Sequence, residues 1–115
     1  MAAALAGNAA VAVVLPFVPA RILHALSARR RYKYVHPRVE AEGAGWKIVS
    51  PNCSRNIDPE GGEIDIAWIV AGGRGSWRVH ARDHRRQTWK LRDTTTSLDE
   101  ALERVCADPL REYWP

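Results

Sequence analysis

Between Glu63 and Arg92 the chain alternates apolar and polar residues in three separate runs. "EIDIAWIV" places Ile64, Ile66, Trp68 and Val70 on one side, with Glu63, Asp65, Ala67 and Ile69 on the other. "SWRVHAR" sets Trp77, Val79 and Ala81 against Arg78, His80 and Arg82. "TWKLR" sets Trp89 and Leu91 against Thr88, Lys90 and Arg92. A period of two is the signature of a strand with one buried and one wet face. "AGGRG" supplies a glycine turn between the first two runs, and "DHRRQ" has the length of a hairpin loop. Two earlier runs, "RVEAEG" and "GWKIVS" (Trp46, Ile48 and Ser50 on one side), raise the expected sheet to about five strands.

A sheet with one apolar face needs a second layer, and the flanking sequence offers two helices. "ARILHALSARR" carries Ile22, Leu23 and Leu26 on a stripe behind Pro19, which fits a first helical turn. His24 falls beside that stripe as an ordinary helix-face residue. His36-Pro37 ends the segment, because a residue before proline avoids the helical region. "SLDEALERVCADP" has a capping serine, Ser97, with Glu100 three residues on. Its apolar stripe is Leu98, Ala101, Leu102 and Val105, and Pro109 follows. Tyr113 and Trp114 are expected to fold back onto the sheet, since water offers them no compensation for ordering. The predicted class is α+β, an antiparallel sheet of about five strands packed against an N-terminal and a C-terminal helix as a two-layer sandwich. Trp68, Trp77 and Trp89 are expected to join Leu98, Leu102 and Val105 in one core.

The length of 115 residues suits one such domain, expected over residues 19–115. Residues 1–18 form an apolar leader without a charged side chain. The run is too short for a membrane span, and it lacks the basic residues that open a signal peptide. Cys53 and Cys106 make no disulfide framework. These features predict a cytoplasmic protein with no membrane association.

Net charge is +4, and its placement matters more than its size. Residues 21–38 are basic without an acid, and residues 74–92 hold seven Arg and Lys against Asp83. Residues 93–115 hold six acids against Arg104 and Arg111. A basic body attracts phosphates, unless the acidic end packs onto it and neutralises it.

Each candidate chemistry requires a particular set of residues. Glu63 and Asp65 in "GGEIDIAWIV" match the first half of a metal-dependent nuclease site. The second half, an acid, one residue and a lysine on the next strand, is absent, and arginines stand in its place. Cross-strand pairing with Arg78, His80 and Arg82 explains both acids more economically. His80, Asp83 and His84 lack the close ligand spacing of a structural zinc site. No nucleophile elbow surrounds Cys53 or Ser54. The loop "SPNCSRNIDPEGG" is long for a hairpin connection, and Asn52, Cys53, Ser54, Arg55, Asn56 and Asp58 form a candidate functional loop. No catalytic set, metal site or cofactor site emerges.

"RRRYKYVHPRVE", the spaced tryptophans of "SWRVHARDHRRQTWKL" and the ending "SLDEALERVCADPLREYWP" together resemble a family of short bacterial proteins, the domain-of-unknown-function family numbered 3024. Trp77, Arg82, Asp83 and Trp89 match its strand pattern, and Asp108 and Trp114 match its ending. The resemblance covers residues 20–115 and implies the helix–strands–helix order, with no established activity. The chain therefore reads first as a small non-enzymatic binding or adaptor module for an unidentified protein partner. The alternative is a nucleic-acid-binding protein that uses a basic hairpin face of Arg78, His80, Arg82, Arg85, Arg86, Lys90 and Arg92. A metal-dependent nuclease ranks third.

Overall fold

The computed structural model describes residues 17–29, 35–52 and 61–115. Its elements are helix α1 (Phe17–Ser27), strands β1 (Arg38–Glu42), β2 (Gly45–Pro51), β3 (Glu63–Ala71), β4 (Trp77–Asp83) and β5 (Thr88–Thr95), and helix α2 (Leu98–Ala107). The strands form an antiparallel sheet in sequence order, β1-β2-β3-β4-β5. The class is the expected α+β arrangement.

Helix α1 buries Val18, Ile22 and Leu26, four residues apart on one stripe. Leu23, expected on that stripe, is 44% exposed, because one residue of helix rotates a side chain about 100° away. Helix α2 starts as expected: the Glu100 N–H donates to Ser97 Oγ at 3.1 Å. The Glu100 carboxylate accepts from the Thr96 N–H at 3.1 Å, one residue earlier than a standard capping box places it. Leu98, Ala101, Leu102 and Val105 are buried against the sheet and α1.

Asp108 ends α2 in the left-handed conformation, φ 38°. Its buried carboxylate accepts the backbone N–H groups of Glu112, Tyr113 and Trp114 at 2.7 to 3.2 Å. That cluster folds the chain end back, and Tyr113 and Trp114 enter the core as expected. Trp114 donates its indole N–H to the Val105 carbonyl at 3.0 Å, and the Arg29 guanidinium lies 4.8 Å over its ring. Tyr113 donates its hydroxyl to Asp93 at 2.6 Å; burial first, then Asp93, push the phenol well above the ordinary tyrosine range.

The sheet departs from the expected phase in two places. In β3, Ile48 pairs with Ala67 but Val49 with Asp65, so Ile66 is an extra residue. Ile66 and Ala67 are both buried in the core, and the alternation restarts one residue later. Ile64 and Ile66 face the helices as expected. Beyond the bulge Ala67 and Ile69 face them instead, and Trp68 and Val70 turn to the opposite face. In β5, Val79 pairs with Asp93 but His80 with Leu91, so Arg92 is the extra residue. Trp89 and Leu91 thereby lie opposite Arg82 and His80, away from the helices, and Lys90 lies opposite Ala81 on the helix side. Trp68 and Trp89 are thus not core residues. Trp77, Leu98, Leu102 and Val105 do pack in or against the core.

Truncating Leu102, which is 5% exposed, to alanine is expected to lower unfolding free energy by about 2–5 kcal/mol. A chemical-denaturation midpoint unchanged in Leu102→Ala would contradict the packing of α2 described here.

Candidate nucleic-acid interface

Helices α1 and α2 and the chain end cover one face of the sheet. The opposite face has no covering element among the described residues. Cross-strand pairing orders its side chains into rows. One row is Glu42, Gly45, Val70, Arg78 and Thr94. The next is Glu40, Lys47, Trp68, His80 and Leu91. The third begins with Arg38, Val49 and Asp65, and Arg82 and Trp89 continue it on β4 and β5.

The half of this face built on β1, β2 and the start of β3 is densely ion-paired, with Glu40, Glu42, Glu63 and Asp65 against Arg38, Lys47 and, from β4, Arg82. Arg38 donates to both Glu63 oxygens at 2.9 and 3.2 Å and also pairs with Glu40. Lys47 lies 3.3 Å from Glu40, 3.9 Å from Glu42 and 3.2 Å from Asp65. Arg82 approaches Asp65 at 3.7 Å. Hydrogen bonds from Arg38 hold the Glu63 and Glu40 carboxyls below the usual range. Burial pulls the Lys47 ammonium down, but Asp65 and Glu40 outweigh it and keep it above the ordinary lysine value. Each exposed pair adds little stability by itself. Their collective effect is to cancel charge. Glu63 and Asp65 share the face of Arg78, His80 and Arg82 as expected, but Glu63 takes its cation from β1. The two acids point to different cations and do not converge on a common point.

The half built on the end of β3, β4 and β5 is aromatic and cationic. Trp68 donates its indole N–H to the Glu42 carbonyl at 2.8 Å. The Trp68 and His80 ring centroids lie 4.7 Å apart, and those of Trp68 and Trp89 lie 6.0 Å apart. The Arg82 guanidinium sits 4.9 Å over Trp89. Leu91, beside them, is 53% exposed. The His80 Nδ1 lies 3.1 Å from the Trp68 carbonyl, which fixes the ring against β3. His84 follows at the turn, where burial first and then Arg82 hold its imidazole below its ordinary value. It adds no steady positive charge near neutral pH.

Asp83 closes the β4–β5 hairpin. Its carboxylate accepts the N–H groups of Arg85 and Arg86 at 3.1 and 3.0 Å and pairs with Lys90 at 3.1 Å and Arg86 at 3.3 Å. Of the hairpin cations expected on one face, Arg86 and Lys90 are therefore engaged with Asp83, and Lys90 stands on the other side of the sheet. Arg78 lies on the open face, and Arg85 is at the turn. Arg92 occupies the bulge. The side chains of Arg78, Arg85 and Arg92 have no acidic or hydrogen-bonding partner among the described residues.

Among the described residues no acid of the chain end forms an ion pair with the cations of this surface. Asp99 pairs with Arg21 of α1, Glu100 with Arg104, and Asp93 with Tyr113. Asp108 serves the backbone of the chain end. Of the candidate loop, Asn52 is described: it donates to the Gly61 carbonyl at 3.2 Å and its N–H to Gly62 at 2.8 Å, clamping the base of the loop. Cys53, Ser54, Arg55, Asn56 and Asp58 lie outside the described residues. Cys106 is partly buried, its thiol 3.6 Å from the Ala25 carbonyl, and burial pushes the thiol up. Two depressions of about 290 and 220 Å³ lie beside α1, one lined by Phe17, His24 and Leu102 and the other by Leu23, Arg29 and His36. Neither opens on the aromatic–cationic half. No group of three His, Cys, Asp or Glu side chains converges as a metal site among the described residues. No helix among them is long and apolar enough to cross a membrane.

Sequence reasoning placed Arg78, His80 and Arg82 on the correct face and missed Trp68, Trp89 and Leu91 beside them. The available signal was the run Ile66, Ala67, Trp68, Ile69, Val70, where both phases are apolar and alternation no longer fixes orientation.

The family model for the domain of unknown function DUF3024 matches residues 16–115, and the chain belongs to that family. No curated protein and no solved structure matches the chain.

The backbone N–H of Arg86, followed by Lys90, holds the Asp83 carboxyl well below the usual aspartate range. A depressed folded value means that its stabilisation is complete above the unfolded aspartate value and is lost as pH falls through the folded one. In a carboxyl-carbon NMR titration Asp83 should be among the last acids to protonate, and the hairpin should loosen only in strong acid. Titration of Asp83 at the ordinary aspartate value would contradict the clamp.

Proposed function

We propose that this protein is a non-enzymatic binding module that docks a nucleic acid on the β4–β5 half of its open sheet face. One observation carries the reading. Among the described residues every acid on the open face is engaged with a cation, whereas Arg78, Arg85 and Arg92 are engaged with no acid. The uncompensated charge on and around this half is thus positive. A phosphate backbone is the ligand chemistry that positive charge without internal partners attracts, through release of counterions. The acids that would compete for these cations are held elsewhere: Asp93 by Tyr113, and Asp83 by the turn it closes.

An adaptor role toward a protein is the second reading. It draws support from the exposed Leu91 and from Leu110, 77% exposed after α2. A nuclease draws less, since Glu63 and Asp65 are ion-paired and face different cations.

Fluorescence anisotropy of labelled oligonucleotides should show binding at low ionic strength that weakens steeply with salt. Arg78→Ala with Arg85→Ala should weaken binding to all sequences and lower the salt slope by about one per removed arginine, with little change in folding stability. An absence of binding at low salt, or an affinity indifferent to both salt and the substitutions, would overturn the reading.

A further inference from the structure

We infer that the nucleic acid taken by this face is single-stranded, with bases lying against Trp89 and Leu91 and the backbone running past Arg78. The inference rests on the nucleic-acid reading above and adds the strandedness and the residues that read it.

Its ground is the juxtaposition of planar groups with Arg78, which pairs with no acid among the described residues, on the open sheet face. Arg78, His80 and Arg82 succeed one another along β4 with their side chains on the same face. Leu91 stands opposite His80, and Trp89 opposite Arg82. Trp89 is half-buried under the Arg82 guanidinium, so the surface offered here is a guanidinium–indole stack bordered by an exposed leucine. Both planes are ones on which unstacked bases settle. Beyond the His80–Leu91 row on β4, Arg78 has no acidic partner among the described residues, and its neighbour Thr94 is a hydroxyl that competes for no cation.

A duplex would use this surface poorly. Its base faces are already stacked on one another, and it presents sugar and phosphate outward, with grooves that admit a helix or a two-stranded ribbon. Apolar groups set between cations on a broad sheet would meet only that polar exterior. A single strand offers a base face for each ring and a phosphate for each cation. The neighbouring half, where Glu40, Glu42, Glu63 and Asp65 outnumber Arg38, Lys47 and Arg82, gives no net attraction to a backbone. It confines the site to β4 and β5, a footprint of a few nucleotides.

The test compares a dT12 and an rU12 oligonucleotide with a 12-base-pair duplex and with poly-glutamate of similar charge, each titrated into the intact protein. Binding is read by anisotropy and by intrinsic tryptophan emission. The expected result is single strands bound at least about tenfold more tightly than duplex, with quenched tryptophan emission. Trp89→Ala should weaken single-strand binding about tenfold or more, and Trp89→Phe should retain most of it, since a phenyl ring still stacks. If Trp89→Ala unfolds, as read by circular dichroism, Leu91→Ser serves in its place and should weaken single-strand binding while leaving duplex binding unchanged. Equal binding of duplex without quenching would overturn the single-strand assignment and leave the nucleic-acid reading intact. Equal binding of poly-glutamate would identify an acidic polypeptide surface and overturn both. Binding of no probe at low salt would also overturn both.

Discussion

Two consecutive residues of β3, Ile66 and Ala67, both face the helices, and the character of the opposite sheet face follows from that doubling. A bulge leaves one residue unpaired and reverses the phase of everything beyond it. Before the bulge, the open face receives Glu63 and Asp65; after it, Trp68 and Val70. Packing fixes the choice. Ile69, fully buried, lies opposite Val79 and Trp46 on the helix side, and a one-residue slip would exchange it for the bulkier Trp68. The backbone of β2 comes close enough at Gly45 that a Cβ there would stand 2.2 Å from the Ile69 carbonyl oxygen, so glycine is required opposite Val70. The second bulge, at Arg92, repeats the device on the edge strand and delivers Trp89 and Leu91 to the same surface.

The charges then sort by position. The acids Glu40, Glu42, Glu63 and Asp65 on β1 and early β3 meet Arg38, Lys47 and Arg82, which leaves that half slightly acidic. Asp83 is spent on the hairpin turn, Asp93 on Tyr113, and Asp108 on the N–H groups of the chain end. Each commitment is local and geometrically demanding, and together they leave Arg78, Arg85 and Arg92 without an ion pair among the described residues around an aromatic patch. The tendency to bind anions thus arises from where the acids are used. The modest net charge of the whole chain does not reveal it.

Much of this architecture was legible in the sequence. Helix α2 announced itself through Ser97, Glu100 and the stripe of Leu98, Leu102 and Val105, because caps and periodicity act over a few residues. The strands and their antiparallel order were equally local, and the return of Tyr113 and Trp114 followed from the cost of leaving them in water. The carboxylate that enforces that return, Asp108, was matched only as part of a family ending. Its role needs a left-handed residue followed by N–H groups four to six positions on, a geometry that residue types do not display. The two tryptophans were misplaced for a tertiary reason. From Ile66 to Val70 every residue is apolar, so strand phase there is set by what packs on either side. In "TWKLRDTT" the unpaired Arg92 leaves no mark in composition. The acidic chain end does not reach the hairpin: Asp99 and Glu100 pair with Arg21 and Arg104 on the helices, and Asp93 and Asp108 take hydroxyl and backbone donors.

The placement of Trp68 and Trp89 is the claim on which the surface depends, and proton–proton contacts measured by NMR test it directly. Contacts from the Trp68 indole to the His80 ring and to Trp89, without contacts from either indole to the methyl groups of Leu98, Leu102 or Val105, are the expected result. Strong contacts from Trp68 or Trp89 to those methyl groups would place the rings in the core, remove the bulge phase from β3 and β5, and contradict the account.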